Sequence, residues 1–376
     1  MNKYIIKGGK PLRLGYTTGS CATAAAVASA HMLLAGKMMD TVAIALPSGE
    51  KAVFCIDNPI VTDDMASCSV KKDAGDDPDV TDGLDIVAQC ELSPSGLHIR
   101  GGEGVGVITA DGLALPRGEP AINPAPRRMI VDNVDAVCRH HGYSGGLVLT
   151  IAIPGGEAVA QKTFNPRLGI VGGLSILGTT GVVEPMSEKA VVDTIKLLID
   201  KRKLQDPDNI LITPGNYGSQ FCRDTLGLDM GQVVKCSNFL GECLDYIAYK
   251  QFRRVLLVGH AGKLVKVAGG IMHTHSSTAD CRMEILAAHA ACAGAGAGIV
   301  QAIMTATTTD GAASILECSE YGAKAFRTLL EKLQFHLDCR VRHALEVGVV
   351  VFCRNKVLLQ SDNAEILAGF FSGERS

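Results

Sequence analysis

The chain has 376 residues, a length at which a single hydrophobic core usually stops growing, so two domains are expected. Hydrophobic residues make up 47% of it and charged residues 20%, which excludes a disordered protein. The net charge of −3 gives no basic field, so nucleic acid is not expected as a partner.

The start of the chain lacks the apolar stretch of about 7 to 15 residues that a signal peptide needs. No run of about 18 apolar residues without a charge is expected to span a membrane. The sequence therefore predicts a cytoplasmic protein without a membrane partner. The thirteen cysteines are scattered singly, with no C-x-x-C pair, which is typical of reduced and mostly buried thiols.

The first 160 residues have the pattern of an α+β domain. A helix is expected to begin at Thr18, because a polar glycine turn there precedes an alanine-rich stretch. A second helix is expected at about 126–140, because its apolar residues recur at spacings of three and four. Short β-like segments are expected at 42–46 and 147–151.

From about Leu168 onward the pattern changes to strand, loop and helix, repeated. Because each parallel crossover needs a helix-sized connection, this pattern predicts a parallel sheet covered by helices. Ligands bind at the carboxyl ends of strands in such sheets, so the four loops that follow the strands are expected to share one crevice. The four strands are expected at 174–177, 209–213, 233–236 and 254–258, and a buried strand at 347–352 is not placed by the pattern.

Three glycine-rich segments invite a nucleotide-binding interpretation. The segment 102–106 leads into a β-like stretch rather than a helix, and 294–298 follows a helix, so a helix end explains it better. The segment 259–263 joins a strand to a helix and presents backbone N–H groups to an anion, although it is too short for a P-loop. A ligand loop and a structural turn both remain open there.

A cluster of His273, His275 and Asp280 carries side chains that bind metals or move protons. Imidazole and carboxylate together suit zinc, but no third and fourth ligand is marked, so no metal site is predicted. An acid/base or substrate role is favoured, because histidine titrates near neutral pH. The charged segment 71–79 is either a solvated turn or a charged lip of an active site. The helix start at 17–21 is either a carboxylate site or a simple N-cap.

Long motifs resemble the CbiD family in order and over nearly the whole chain, most weakly after about Thr307. Met272-His273 departs from the family pattern, in which Asn precedes Thr-His-Ser, and this favours His275 over His273. The motifs are 15–22 (GYTTGSCA), 72–81 (KDAGDDPDVT), 122–127 (INPAPR), 163–170 (TFNPRLGI), 176–187 (ILGTTGVVEPMS), 259–266 (GHAGKLVK), 273–276 (HTHS) and Asp280.

The resemblance implies an α+β N-terminal domain, residues 1–160, joined to an α/β Rossmann-like parallel-sheet domain, residues 161–376. It implies methylation of C1 of cobalt-precorrin-5B to give cobalt-precorrin-6A in anaerobic cobalamin biosynthesis, with S-adenosylmethionine as cofactor. The first domain is expected to contact the cobalt-containing tetrapyrrole and the second to bind the cofactor. The oligomeric state stays open, a homo-oligomer included.

The reaction needs positioning rather than a protein nucleophile, because the sulfonium methyl group is already activated. The residues expected near the acceptor, as catalytic groups, are His275 and Asp280. The cofactor is expected to contact Gly178, Thr179, Thr180, Gly181, Gly215, Asn216, Tyr217, Ser237, Asn238, Gly259 and His260. The substrate, with its carboxylate arms, is expected to contact Thr17, Thr18, Gly19, Ser20, Lys72, Asp73, Arg127 and Lys263.

Three other functions fit parts of the sequence. A metal-dependent hydrolase would use His273, His275 and Asp280 and would contain stoichiometric metal. A phosphate-transfer enzyme would use Lys263 and would bind a nucleoside triphosphate. A tetrapyrrole carrier would bind the macrocycle and transfer no methyl group.

Overall fold

A computed structural model describes residues 3–372 of the chain as a mixed α/β protein with two compact units. The first unit ends at Ser187 and the second begins at Glu188. The segment 161–187, which the sequence assigns to the second domain, lies in the first unit. It is held there because Val182 and Val183 pair with Tyr16 and Gly15 in a two-stranded sheet.

The first unit is built on a five-stranded sheet of order β6-β7-β8-β11-β9, in which β11 runs antiparallel to β8 and parallel to β9. Its helices are α1 (Thr18–Ala35), α2 (Pro124–His140), α3 (Gly156–Ala160) and α4 (Asn165–Leu168). Its strands are β1 (Tyr4–Lys7), β2 (Lys10–Arg13), β3 (Gly15–Tyr16), β4 (Thr41–Ala45), β5 (Lys51–Cys55), β6 (Asp57–Val61), β7 (Met65–Lys71), β8 (Asp85–Ser93), β9 (Leu97–Gly101), β10 (Val107–Ile108), β11 (Gly146–Ala152), β12 (Ile170–Val171) and β13 (Val182–Val183).

Helix α1 is the centre of this unit. It packs against β7, β8 and α2, and its small alanine side chains let the strands approach closely. By length and composition α1 could cross a membrane, which corrects the expectation that no such run exists. However, 83% of it is buried inside the unit, as in the core helix of a globular domain. The helix predicted at 126–140 is confirmed as α2, with two more residues at its start.

The second unit contains a five-stranded sheet of order β15-β14-β16-β17-β18, with the first four strands parallel and β18 antiparallel. Its strands are β14 (Asn209–Thr213), β15 (Val233–Lys235), β16 (Arg254–His260), β17 (Glu346–Cys353) and β18 (Lys356–Gln360). Its helices are α5 (Glu188–Gln205), α6 (Asn216–Asp224), α7 (Leu240–Tyr249), α8 (Ala261–Ala268), α9 (Arg282–Ala293), α10 (Ala297–Met304), α11 (Thr309–Glu317), α12 (Gly322–Arg340) and α13 (Ala364–Gly369), with a 3-10 turn at Met230–Gln232.

Helices cover both faces of this sheet. One face packs on α5, α7, α8, α9 and α12, and the other packs on α6 and α13. The parallel sheet covered by helices is therefore confirmed, and so are its strands at 209–213, 233–236 and 254–258. The buried strand at 347–352 is β17, which lies between β16 and β18.

The prediction of a strand of this sheet at 174–177 is wrong. Leu174 and Ile176 form only isolated bridges with Val105 and Ile122, inside the first unit. The segment is apolar because it packs into the core around α1. The Gly294 and Gly296 pattern is confirmed as a helix end, since Gly294 caps α9 with a φ of 108°.

Candidate functional site

Three loops of the second unit follow the carboxyl ends of neighbouring parallel strands. We call them the rim loops: 214–216 after β14, 236–239 after β15 and 259–263 at the end of β16. The helix after β14 packs on the opposite face of the sheet from the helix after β16. Where adjacent strands send their helices to opposite faces, a crevice opens at their carboxyl ends, and ligands bind there.

Lys263 connects the three rim loops. Its Nζ lies 3.4 Å from the carbonyl oxygen of Ser237, and a Cβ placed on Gly215 would lie 3.4 Å from the same Nζ. Burial lowers the pKa of Lys263, since desolvation disfavours the charged form. Within the described range no carboxylate forms an ion pair with this ammonium group, so it is available to an anionic group of a ligand.

His260 has both of its ring nitrogens engaged. Nδ1 accepts the N–H of Gly262 at 3.0 Å, so Nε2 carries the proton and lies 3.2 Å from Oδ1 of Asp310. His260 thereby caps α8 and ties it to the start of α11.

The first turn of α6, which follows the first rim loop, carries polar and aromatic groups. Oδ1 of Asn216 accepts a hydrogen bond from Nζ of Lys235 at 2.8 Å, and the ring of Tyr217 is 76% exposed. An exposed ring presents a flat face on which a flat ligand can stack. In the neighbouring rim loop, Ser237 has a left-handed φ of 53°, a strain that tends to concentrate in ligand-binding loops.

The segment 272–281, which we call the histidine loop, is attached to the rim loops. The N–H and Oγ1 of Thr274 donate to the carbonyl and Oδ1 of Asn238 at 2.9 and 3.3 Å. Behind it, Nζ of the buried Lys266 donates to the carbonyls of Thr274 and Ala279 at 3.1 and 2.9 Å. Burial lowers the pKa of Lys266. The lysine therefore fixes both ends of the part of the loop that carries His275.

The predicted catalytic pair, His275 and Asp280, lies in the histidine loop with both side chains exposed. Nδ1 of His275 accepts the N–H of Ser277 at 3.1 Å, so its Nε2 carries the proton. Asp280 makes two hydrogen bonds with the guanidinium of Arg282, and these lower the pKa of Asp280. A carboxylate held in this way accepts protons poorly, so the pair suits orientation and hydrogen-bond donation better than proton removal.

The residues of the metal-dependent alternative are engaged separately. His273 Nδ1 contacts Oγ1 of Thr278 at 2.9 Å, while its Nε2 is buried without a partner. His275 and Asp280 have the partners given above. Among residues 3–372 no three His, Cys, Asp or Glu side chains gather as a metal site.

The loop containing Gly178, Thr179, Thr180 and Gly181 lies in the first unit and not on the rim of the parallel sheet. A Cβ on Gly178 would lie 2.3 Å from Oγ1 of Thr17, and the carbonyl of Gly181 accepts the hydroxyl of Ser20 at 2.6 Å. The expectation that it shares the rim of that sheet is wrong, since the preceding segment is no strand of the sheet. A cofactor contact by these residues stays a prediction.

Backbone N–H groups at the start of α1 already have hydrogen-bond acceptors within the first unit. Oγ1 of Thr17 accepts the N–H of Ser20 at 3.2 Å, and the N–H of Gly19 donates to the carbonyl of Leu177 at 2.9 Å. The helix cap is therefore Thr17. Burial raises the pKa of the Cys21 thiol to about 12, which makes this cysteine unreactive.

The charged segment 71–79 packs against the residues before α1. Gly15 and Gly75 allow these two backbone segments to contact each other, because a Cβ on Gly15 would lie 2.1 Å from the backbone of Ala74. The carboxylates of this segment and of Asp82 have partners within the first unit, and both the solvated turn and the charged lip stay predictions. The pairs are Asp73 with Arg13, Asp76 with the N–H of Arg13, Asp77 with the N–H of Met186, Asp79 with Lys72, and Asp82 with the N–H of Ala74.

We expect part of the stability of the first unit to disappear between pH 4 and pH 2. The hydrogen bonds of Arg13 lower the pKa of Asp73 from 3.8 to about 2, so the folded state gains stability above pH 4 and loses it as Asp73 protonates. Circular dichroism melts from pH 5 to pH 2 measure this loss, and Arg13→Gln should reduce it. Arg100→Gln, on the exposed side of β9, is the control; equal pH profiles for all three proteins would contradict the assignment.

Lys72 is a buried charged residue of the first unit. Its side chain is 1% exposed, and Nζ lies 2.7 Å from Oδ2 of Asp79. Lys72 lines one cavity together with Thr17 and Thr18, so the structure brings together three residues that the sequence predicts as substrate contacts. Arg127 is held elsewhere, by Glu119 at 2.8 Å and by the carbonyl of Ile122 at 2.8 Å.

Sequence reasoning missed several groups of both sites. In the second unit the missed residues are Asp310 and Arg282. Asp310 contacts His260, and Arg282 donates to both Asp280 and Thr309, the neighbour of Asp310. No local pattern links these residues to His260. Asn165 and Ser175, which line the cavity of Lys72, do lie within or beside recognisable motifs.

Sequence comparisons agree along the chain. A sequence model of the family described as CbiD matches residues 5–185, and one described as CbiD, C-terminal domain, matches residues 273–363. A crystal structure described as cobalamin biosynthesis protein (cbiD) from Archaeoglobus fulgidus is 31% identical, covering 71% of this chain and 83% of that chain with a TM-score of 0.39.

Curated relatives match over nearly their full length. A protein of Ruminiclostridium cellulolyticum named cobalt-precorrin-5B C(1)-methyltransferase is 48% identical, over 94% of this chain and 92% of its own. Proteins of the same name from Alkaliphilus metalliredigens and Clostridioides difficile are 42% and 37% identical, over 96% and 99% of this chain and 94% and 100% of theirs. The chain therefore belongs to the CbiD family.

Proposed function

We propose that this chain transfers a methyl group from S-adenosylmethionine to C1 of cobalt-precorrin-5B, giving cobalt-precorrin-6A. The observation that carries the proposal is the name shared by relatives up to 48% identical over most of the chain. The chain is thus a C-methyltransferase of cobalamin biosynthesis whose substrate is a cobalt-containing tetrapyrrole. A cytoplasmic location, the lack of nucleic-acid and membrane partners, and the oligomeric state stay predictions.

For the cofactor we infer a site at the rim loops of a Rossmann-like second unit. The strand order supports this inference, because helices cover both faces of the sheet and the helices that follow the parallel strands β14 and β16 lie on opposite faces. Polar groups and an exposed aromatic ring there fit a ligand with an amino acid end and a flat base. The contacting residues are Gly215, Asn216, Tyr217, Ser237, Asn238, Gly259 and His260.

When bound, the cofactor supplies an electrophilic methyl carbon, so the chain needs no nucleophile of its own. Its residues hold the reactants at near-attack distance, which can contribute about 7 to 11 kcal/mol of the barrier. Nε2 of His275 donates a hydrogen bond to the tetrapyrrole that accepts the methyl group. Asp280, which is held by Arg282, orients the same loop. Lys263 contacts a carboxylate arm of the substrate at the rim.

In the first unit, tetrapyrrole contact is proposed for the predicted residues around the start of α1 and the charged segment. Lys72, Thr17 and Thr18 line one cavity, which supports their role. Arg127 binds Glu119 in the present arrangement, so its contact with substrate requires that this ion pair opens. The remaining proposed contacts are Gly19, Ser20 and Asp73.

The deciding experiment is incubation of the purified chain with cobalt-precorrin-5B and S-adenosylmethionine labelled in its methyl carbon. Label at C1 of the product supports the proposal. Binding of the tetrapyrrole without transfer of label identifies a carrier and overturns it. Stoichiometric metal with hydrolysis, or turnover of a nucleoside triphosphate, identifies one of the other two alternatives.

Substitution of Asn216 or His260 is expected to weaken the binding of S-adenosylmethionine. Each contributes one polar contact or helix cap at the rim, so Asn216→Ala and His260→Ala should each raise the Kd by about tenfold. Isothermal titration calorimetry measures the change, with Lys356→Gln on the exposed side of β18 as the control. Unchanged affinity for S-adenosylmethionine in both variants would contradict a cofactor site at the rim loops.

A further inference from the structure

A small cavity lies in the first unit beside the start of α1. Its volume is about 170 Å³. Whole ligands of drug size occupy roughly 300 to 1,000 Å³, so this cavity has room for water or for a short arm of a ligand only. Its lining includes Lys72, Asp79, Thr17, Thr18, Thr163 and Ser175.

Lys72 lines the cavity and has hydrogen-bond donors without described acceptors. An ammonium group has three hydrogens, and among the described residues Asp79 is its hydrogen-bond acceptor, at 2.7 Å. The side chain is only 1% exposed, so bulk water satisfies the other hydrogens poorly. Leaving donors of a buried charge without acceptors is unfavourable, so the cavity favours a ligand that brings acceptor oxygens.

The hydroxyl groups around Lys72 already donate elsewhere. Thr18 donates to the carbonyl of Leu177 at 3.2 Å, Thr163 to the carbonyl of Ala160 at 2.7 Å, and Ser175 to Oδ1 of Asn165 at 3.3 Å. Their hydrogens are therefore engaged, whereas Lys72 carries hydrogens with no described acceptor. The lysine thus favours a ligand that carries acceptor atoms.

The charges around the cavity also favour an anion. Asp79 neutralises Lys72; although burial opposes it, the hydrogen bond of Lys72 and those of Thr81 lower the pKa of Asp79, which stays ionised at neutral pH. The 18-residue helix α1 begins at the cavity wall, and a helix N-terminus carries a partial positive charge. The charges of the lysine and the aspartate cancel, and the helix end adds a partial positive charge that favours an anion.

We propose that this cavity receives one carboxylate arm of the tetrapyrrole, with its oxygens accepting the two remaining hydrogens of Lys72. The inference rests on the proposed function, because that function supplies an anionic macrocycle with short carboxylate arms. Asp79 is a positioning residue, which holds the ammonium group at the cavity wall.

The first test measures methyl transfer by Lys72→Gln. Loss of a charged hydrogen bond should raise KM for cobalt-precorrin-5B on the order of 10- to 100-fold, with a smaller change in kcat and no change in the Kd for S-adenosylmethionine. Lys51→Gln, an exposed lysine of the same unit, is the matched control. An unchanged KM in a folded Lys72→Gln variant would overturn the proposal.

The second variant, Asp79→Asn, covers the case in which Lys72→Gln does not fold. It leaves the buried ammonium without its partner, so the free protein should melt at a lower temperature than wild type. A tetrapyrrole carboxylate replaces the missing charge, so the substrate should raise the melting temperature of Asp79→Asn more than that of wild type. A purely structural ion pair predicts equal shifts, and equal shifts would overturn the carboxylate site.

The two proposals fail in different ways. If the wild-type chain transfers no methyl group, the proposed function fails, and uroporphyrin, a tetrapyrrole with eight carboxylate arms, then tests the cavity by itself. Binding of uroporphyrin by wild type and weaker binding by Lys72→Gln would support the carboxylate site without the reaction. Equal binding by the two proteins, or no binding by either, would overturn the site.

Discussion

Replacing Gly218 by alanine is expected to destabilise the second unit by about 3 kcal/mol, since overpacking of a buried contact costs this much. A Cβ at this position would lie 1.7 Å from Oγ1 of the buried Thr213 and 3.1 Å from the carbonyl oxygen of Val258. Helix α6 would have to move away from β14 and β16, which carry two of the rim loops. In a unit of this size the melting temperature should fall by roughly 6 to 12 °C.

Calorimetric melting of Gly218→Ala checks this result, and binding of S-adenosylmethionine to the folded variant reports on the rim loops. Gly298→Ala is the control, because a Cβ there meets no atom within 4 Å and alanine favours the helix. The double variant Thr213→Ala with Gly218→Ala removes the closest clash and should recover part of the stability. No recovery would show that the contact with Thr213 is not the cause.

Replacing Lys266 by methionine should abolish most of the activity while leaving the free energy of unfolding almost unchanged. The buried charge has no carboxylate partner in the described chain, so its removal relieves a desolvation cost that offsets the two lost hydrogen bonds. The carbonyls of Thr274 and Ala279 lose their donor, and the histidine loop between them shifts. A displacement of about 1 Å at a reacting group can lower the rate by about 100-fold.

Turnover and chemical denaturation of Lys266→Met test the two halves of this prediction. Proteolysis should also cut the histidine loop faster in the variant, because the loop is no longer tied to α8. Lys324→Met, an exposed lysine on α12, keeps the same change of side chain without the contacts. Full activity in Lys266→Met would show that the histidine loop holds its position without the lysine.

The repeating pattern of strand and helix predicts most of the second unit because it depends on local sequence. β14 and β16 are buried runs bounded by turns, and each is followed by an amphipathic helix. The segment 174–177 has the same local pattern but packs into the core of the first unit. Only long-range pairing, here with Val105 and Ile122, distinguishes the two cases, and that pairing leaves no trace in a short window of sequence.

The sites divide in the same way. The loops at Gly215, Ser237 and Gly259 follow strands whose order could be inferred, so their convergence on one rim was predictable. The partners of these residues were not, because His260 meets Asp310 through a helix 50 residues further along the chain. Lys72 carries no sequence signal of burial, since a lysine in an Asp-rich segment is usually exposed.

Helix α1 is synthesised early and enclosed late. Its neighbours α2 and β11 lie at Pro124–His140 and Gly146–Ala152, so about 117 residues must be translated after residue 35 before the last of them exists. At about 5 to 20 residues per second this takes roughly 6 to 23 s. Throughout that interval the nascent chain carries an uncharged apolar segment without the neighbours that later bury it, so we expect membrane-targeting factors and chaperones to compete for it on the ribosome.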